Sequence, residues 1–273
     1  MSEAAVPPAL DRLPGERHEA GRRSAVLDEV AVEVPVVLVY NGHDHAVLMA
    51  SPGDLADFAL GHSLAEGIVA HAGELDLVDV RASASGIAVQ MAIPPARFRA
   101  LAGRTRALTA PVGCGLCGAA SLAAAIRPTP VVPPGPVPAA AEVAAAFAAL
   151  PPLQVLNARC GGLHAAAVVH AGGLLVREDV GRHNALDKVI GARARADLGG
   201  GFALVTSRAS HELVHKAASA GLSALAAISA PTTLAVHLAR EAGLALFAFA
   251  RGGAVTVYST GGGAGAADPA GAA

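Results

Sequence analysis

The stretch FALVTSRASHELVHKAASAGLSALAAISAPTTLAVHLAREAGLALFAFA, residues 202–250, decides the fold. It opens on a short apolar run, 202–206, of the kind found in a strand covered on both faces. Ser210 is placed to cap a helix over 211–225, because a serine oxygen accepts from the orphan N–H groups of a first turn. Residues 226–229 are short and apolar again. Pro231 then starts a second helix reaching about 242, since proline is tolerated where the N–H has no partner anyway. Residues 244–250 return as a strand, and Arg251-Gly252-Gly253 turns it into a partner over 254–258. Strands alternating with helices predict a three-layer α/β arrangement, and the hairpins make its sheet mixed.

Upstream, 165–170 and 174–178 read as two strands joined at Ala171-Gly172-Gly173. The run EDVGRHNALDK, 178–188, leaves the second strand and enters a helix ending near 198. Nearer the N-terminus, the valine-rich 30–40 reads as a strand, Asn41-Gly42 is a strong hairpin signal, and 46–50 is the returning strand. Ser51-Pro52-Gly53-Asp54 has the form of a helix opening, with a serine cap, an early proline and an acid three residues after the serine. That helix reaches about 69, followed by strands over 75–80 and 86–93 and a short helix from Pro95. The expected organisation is a disordered leader over 1–28 and a smaller N-terminal α+β part over 29–127. A proline-rich linker at 128–138, an α/β part at 139–259 and a disordered Gly/Ala-rich tail at 260–273 complete it. The linker holds six prolines, so it is neither helix nor central strand.

The 273 residues are 53% hydrophobic, enough for a substantial core, yet only 3% aromatic, so that core must be built from Ala, Val and Leu. A net charge of −2 gives no global pull toward nucleic acid or an anionic membrane, and any anion site must be local. Three cysteines do not make a disulfide framework, which points to a reducing cytoplasm. The first 28 residues lack the apolar region of a secretory signal. The longest uncharged run, 217–236, has the length of a membrane span. It is made largely of small residues and broken by Pro231, so it reads as helix, strand and helix.

Two of the cysteines lie in GCGLCG, 113–118, where three glycines give the backbone freedom and clear space around the sulfurs. A CxxC pair of this kind is half of a zinc site, a dithiol redox centre, a sulfur-handling loop or a pair of inert thiols. No second pair stands at zinc-finger spacing. Eight of the twelve residues from 177 to 188 are Arg, Glu, Asp, His, Asn or Lys, and they fall where a strand gives way to a helix. Such junctions hold ligands in open α/β sheets, and a helix N-terminus suits an anion. Arg182, His183 and Asn184 sit there, and Gly181 removes bulk. Ser207 with Arg208, and Ser229 with Thr232, repeat the pattern at two further strand ends, although each alone is what a plain helix cap looks like. With Arg251 they suggest an extended, phosphate-rich ligand. His164 reads equally as a base or as a satisfied core histidine. Cys160, beside two glycines, reads more simply as a small buried residue than as a reactive thiol. Neither GxGxxG nor a P-loop is present.

Taken together, GCGLCG, GGLHAA at 161–166, EDVGRHNALDK, SRASHELVHKAASAG at 207–221 and SAPTTLAVHLA at 229–239 resemble the formate dehydrogenase accessory sulfurtransferase (FdhD) family, as does SPGDLADFALGHSLAEG at 51–67. The resemblance covers roughly 30 to 260. Cys160 departs from it, standing where a threonine or similar residue is expected. What the resemblance implies is a cytoplasmic, homodimeric sulfurtransferase with a cytidine-deaminase-like fold and no tightly bound metal of its own. Such a protein takes sulfur from a cysteine desulfurase and passes it to the molybdenum (or tungsten) bis-pyranopterin guanine dinucleotide of formate dehydrogenase. It implies Cys114 as the persulfide carrier, Cys117 as helper or second acceptor, and Phe247, Ala248, Phe249, Ala250, Arg251 and Gly252 as a cofactor-binding stretch. The alternative is a non-catalytic cofactor-binding chaperone for the same enzyme. Deaminase chemistry is not expected on that scaffold, because the chain has no H-x-E and Gly113 precedes Cys114 where a proline is required.

Overall fold

The structure, a computed structural model, describes residues 5–106 and 128–262. In chain order its elements begin with β1 (Leu10–Glu19), β2 (Arg22–Ala31), β3 (Val34–Tyr40), β4 (His43–Ala50), α1 (Leu55–Ala65), β5 (Asp76–Ser83), β6 (Gly86–Ala92) and α2 (Pro95–Arg106). After residue 127 come α3 (Ala140–Ala149), α4 (Asn157–Cys160), β7 (His164–His170), β8 (Gly173–Asp179), α5 (Arg182–Arg195), β9 (Phe202–Val205), α6 (His211–Ser219), β10 (Ala224–Ala227), α7 (Thr233–Ala242), β11 (Ala245–Arg251) and β12 (Ala254–Thr260). The loop bearing Cys114 and Cys117 lies outside the described residues.

The largest sheet has the order β12-β11-β10-β9-β7-β8. β9, β10 and β11 are parallel, while β7, β8 and β12 enter antiparallel, which gives the expected mixed sheet. Side chains alternate between its faces along β7, β9 and β10. Ala203, Val205, Leu225, Ala227 and Leu246 meet Leu186, Val189 and Ile190 of α5, Leu213 and Val214 of α6, and Leu238 of α7. Phe202, Leu204, Ala224, Ala226 and Phe247 meet Val143, Ala146 and Phe147 of α3 on the other side. Among the described residues the result is three layers, with three helices on one face and one on the other. Alanine fills many of the contact positions, so helices seat close to the sheet without aromatic bulk.

A second sheet, ordered β4-β3-β6-β5, packs Val36, Leu38, Tyr40, Val89 and Met91 on Leu55 and Phe58 of α1 and Leu101 of α2. Asn41 and Gly42 make the predicted hairpin turn, both with positive φ (50° and 82°). α1 also packs on α5, so it is buried nearly all round and joins the two sheets. Gly61 and Gly191 make that crossing possible. A Cβ on Gly61 would overlap the Asp187 carbonyl, and one on Gly191 the Asp57 carbonyl. The proline-rich segment has neither helix nor strand, as expected, and is pinned midway: Val132 is buried and its N–H donates to the Ala242 carbonyl at 2.8 Å.

Four readings of the sequence are corrected. The stretch 1–28, read as a disordered leader, instead supplies most of a long hairpin, β1 paired to β2 from Leu10↔Ala31 to Glu19↔Arg22. Both faces of that ribbon are largely exposed, so it carries none of the apolar alternation by which a half-buried strand is recognised. Ser51 does not cap α1; Asp54 stands at the N-cap with φ 55°, and Ser51 is occupied elsewhere. α1 itself ends at Ala65 rather than 69. The helix assigned to 211–225 stops at Ser219, because Gly221 takes φ 65° and frees the chain for β10, which therefore starts at Ala224 rather than 226. The uncharged run 217–236 is the end of α6, then β10, then the start of α7, and among the described residues no helix is long and apolar enough to cross a membrane.

Candidate functional site

Because β9, β10 and β11 are parallel, their C-terminal ends share one edge of the sheet. β7 runs opposite to β9, so its first residue, His164, lies at that edge; β8 runs opposite to β7, so Asp179 lies there too, paired with His164. From this edge start α5, α6 and α7, with Gly181, Ser210 and Thr232 as their N-caps. The loops are laced together. Thr206 Oγ1 accepts from Ala165 N–H at 2.8 Å, Phe249 N–H donates to Ser229 at 3.1 Å, and Ala209 and Thr232 bridge the loops after β9 and β10. Three helix N-termini therefore open on one rim, each with unpaired N–H groups and a positive dipole end.

Below the rim is a buried polar scaffold. Lys188 Nζ lies 2.7 Å from Asp179 Oδ2 and donates to the Ser51 carbonyl at 3.0 Å, and neither ionic side chain has any exposed surface. The Asp179 carboxylate also accepts from the N–H groups of Ser51 (3.0 Å) and Gly181 (2.8 Å) and from Asn184 Nδ2 (3.0 Å). Ser51 Oγ in turn accepts from Val180 N–H. Asp187 takes two bonds of 2.9 Å from Lys216, which also reaches Glu66. Burial pulls Lys216 down, but the Asp187 and Glu66 carboxylates outweigh it and hold the amine above its ordinary range. Asp57 on α1 binds Arg177 and Arg195, and Glu178 accepts the N–H groups of Leu156 and Asn157 at the start of α4. The charge-dense run 177–188 is thus mostly turned inward, where it locks the entry to α5 against the loop after β4.

Facing the rim are Arg182, His183, Arg208 and His164. His183 Nε2 stands 2.8 Å from Glu212 Oε2 in a close but poorly aligned pair. The His183 ring brings Glu212 down to about 2, against burial, which raises it. Burial lowers His164, opposed by the Thr206 main chain and reinforced by the nearby Arg182. Arg208 is exposed. At the far end, Phe249 holds φ 52° at a β-bulge between β11 and β12, a strained setting for a bulky residue. A cleft of about 170 Å³ lies beside it, lined by Ala144, Phe147, Ile228, Ala250, Arg251 and Gly252 among others.

The edge brings together His164, Arg182, His183, Ser207, Arg208, Ser229 and Thr232 from four separate stretches of sequence. They are not equally available. Asn184 is buried and spends its amide on Asp179 and the Met49 carbonyl, and Ser207 is buried with its hydroxyl donated to the Arg208 carbonyl. Phe247, Ala248 and Ala250 are core residues, whereas Arg251 and Gly252 are exposed in the turn to β12. Thr232 caps α7 by accepting from Ala235 N–H. Sequence reasoning passed over Glu212, whose only local signal was an acid in the first turn of α6. It also passed over the strain at Phe249, for which a non-glycine residue gives no signal. Cys160 is half-buried, its sulfur accepting from Gly162 N–H.

Residues 31–263 match the FdhD/NarQ family. The chain is 51% identical over 247 residues to the sulfur carrier protein FdhD of Xanthomonas euvesicatoria pv. vesicatoria, covering 89% of this chain and 88% of that protein. It is 47% identical over 264 residues to the sulfur carrier protein FdhD of Cupriavidus necator, covering 93% and 90%. Its fold matches that of a crystallised protein from Desulfotalea psychrophila, described as a formate dehydrogenase accessory protein, with a TM-score of 0.70, 20% identity, and 92% and 97% of the two chains covered. At that identity the likeness concerns fold. The family span takes in both sheets, the buried scaffold and the rim, and the chain belongs to the FdhD/NarQ family.

Proposed function

We propose that this protein is a sulfurtransferase that moves sulfur from a cysteine desulfurase to the molybdenum (or tungsten) bis-pyranopterin guanine dinucleotide destined for formate dehydrogenase. The observation that carries the reading is the close similarity to proteins named sulfur carrier protein FdhD over nearly the whole chain. The rim supports it. A bis-nucleotide carries several phosphates, and three helix N-termini with Arg182, Arg208 and Arg251 are a fitting receptor for them.

In this mechanism the Cys114 thiolate attacks the outer sulfur of the donor's persulfide. The donor S–S bond breaks, the donor cysteine leaves as thiolate, and Cys114 now carries the persulfide. Release of the outer sulfur as hydrosulfide needs two electrons. Cys117 supplies them by attacking Cys114 Sγ and closing a disulfide, which an external thiol reopens. The glycines around both cysteines suit an exchange in which large partners must approach the sulfur.

Incubation with a cysteine desulfurase and cysteine should add about 32 Da per sulfur atom to the intact chain, lost on treatment with thiol. Cys114→Ala should abolish activation of formate dehydrogenase while GDP binding persists. Arg251→Ala should weaken GDP binding about tenfold, one charge-assisted contact's worth. Full activation by Cys114→Ala refutes the carrier role. Activation without any added mass on either cysteine would favour a chaperone that only holds the cofactor.

A further inference from the structure

An acid in the first turn of a helix ordinarily serves the helix dipole, and Glu212 holds such a place in α6. Its surroundings ask more of it. Oε2 is engaged, lying 2.8 Å from His183 Nε2 and accepting from Ser210 Oγ at 3.4 Å. Among the described residues no hydrogen bond reaches Oε1, although only 28% of the side chain is exposed. His183 Nε2 is itself sealed from solvent without an aligned hydrogen bond. The carboxylate is therefore held on one side by a close contact and open on the other. With the His183 ring beside it, and against burial, the group is drawn down to about 2. At neutral pH it is ionised, and both oxygens only accept.

The rim is thus not uniformly suited to anions. Arg182, Arg208 and Arg251 favour phosphate, but where the starts of α5 and α6 meet a phosphate would face a fixed like charge. What fits that point is a neutral group offering N–H donors. We propose that Glu212 is a specificity-determining residue that reads the ring N–H and exocyclic amine shared by guanine and pterin. Oε1 accepts from that edge while His183 and Ser210 steady Oε2. This rests on the nucleotide reading of the rim and adds the residue that recognises the base. Glu212 lies in the helix after β9, and Arg251 ends β11. Those strands stand two apart in the sheet, roughly 10 Å. That is the reach from a nucleotide's diphosphate to the far edge of its base. Two donors side by side on an ionised acceptor make charge-assisted bonds, the stronger kind. Adenine turns a ring-nitrogen lone pair toward the same place, so it is repelled as well as unrecognised.

The test is calorimetric titration of the full chain with two pairs of ligands, GDP with IDP and pterin with lumazine, the second of each pair lacking the amine. The amino-bearing member should bind roughly 10- to 100-fold more tightly, one hydrogen bond to a charged acceptor. A preference for GDP over IDP places the guanine end at Glu212, and one for pterin over lumazine places the pterin end there. Glu212→Gln keeps the side chain's size but removes its charge. Glu212→Asp keeps a charge at the start of α6 but withdraws it by one carbon. In both, the preference should fall to about threefold or less. A residue that merely held α6 would weaken both members of a pair alike, and Arg251→Ala, a phosphate contact, should do just that. Equal affinities within both pairs, or a preference that survives both Glu212 substitutions, overturn the proposal and leave the nucleotide reading standing. A chain that binds neither GDP nor pterin overturns both.

Discussion

Replacing Lys188 with methionine tests the buried scaffold at its centre. The substitution keeps the length and apolar stem of the side chain but removes the amine that contacts Asp179 Oδ2 at 2.7 Å and the Ser51 carbonyl at 3.0 Å. Asp179 is then a carboxylate with no exposed surface and no counter-charge, and breaking such a pair from one side costs about 3–5 kcal/mol. Three N–H donors still reach that carboxylate, from Ser51, Gly181 and Asn184, which places the cost near the lower end, about 3 kcal/mol. That is a large share of the 5–15 kcal/mol typical of a folded domain. The chain has no tryptophan, so urea unfolding is best followed by far-UV circular dichroism. Adding Asp179→Asn should restore part of the loss, because the amide removes the stranded charge. The coupling between the two substitutions should be at least ~2 kcal/mol, well beyond the ~0.5 kcal/mol scatter of independent sites. A loss below ~1 kcal/mol for Lys188→Met, or additive effects in the cycle, would refute the view that this pair holds the start of α5.

Three further outcomes follow from the geometry. Gly61→Ala should destabilise by ~3 kcal/mol or more, since its methyl overlaps a main-chain carbonyl of α5 that can move only by parting the helices; unfolding midpoints check it. Glu212 is depressed to about 2 from 4.5, so its contribution is present above pH ~4.5 and lost as pH falls toward 2; the stability gap between wild type and Glu212→Gln should narrow over that window. His164 is lowered, so the unfolded chain binds its proton more readily and stability rises with pH through the histidine range; its ring resonances should titrate below those of an exposed histidine, and His164→Gln should flatten that part of the stability curve.

Much of the architecture was legible because it rests on strong local signals. Asn41-Gly42 admits little but a tight hairpin, and the apolar runs at 202–206 and 244–250 have nowhere to go but a covered sheet. What failed was local pattern without local cause. Ser51 looks like a cap by spacing, yet Asp179 and Lys188, more than a hundred residues away, claim its N–H and carbonyl. The leader's pairing was hidden because a ribbon wet on both faces needs no alternation of polar and apolar residues. Gly221 was a readable helix stop, masked by the alanine-rich sequence around it, which suits a helix on propensity alone.

The run 178–188 shows why chemistry is harder to read than fold. In the sequence its ionisable residues look alike, a concentration of charge at a helix entrance. In the fold they separate by what the neighbouring elements offer. Glu178, Asp179, Asn184, Asp187 and Lys188 face α1, α4, α6 and the loop after β4, and each finds a fixed partner there. Arg182 and His183 stay at the rim. Burying five polar residues costs desolvation that apolar packing would avoid, and replacing such groups with hydrophobic ones is often neutral for stability. Their worth lies in direction: paired charges admit one arrangement of the α5 entrance, where apolar residues would admit several. A rim of three helix N-termini can present a precise set of N–H groups to phosphates only if each helix start is held in place, and α5 is held by the innermost of these pairs. On the cofactor-binding function proposed above, the inward half of the motif serves the outward half, and substitutions there should loosen GDP binding although none of those side chains faces the rim.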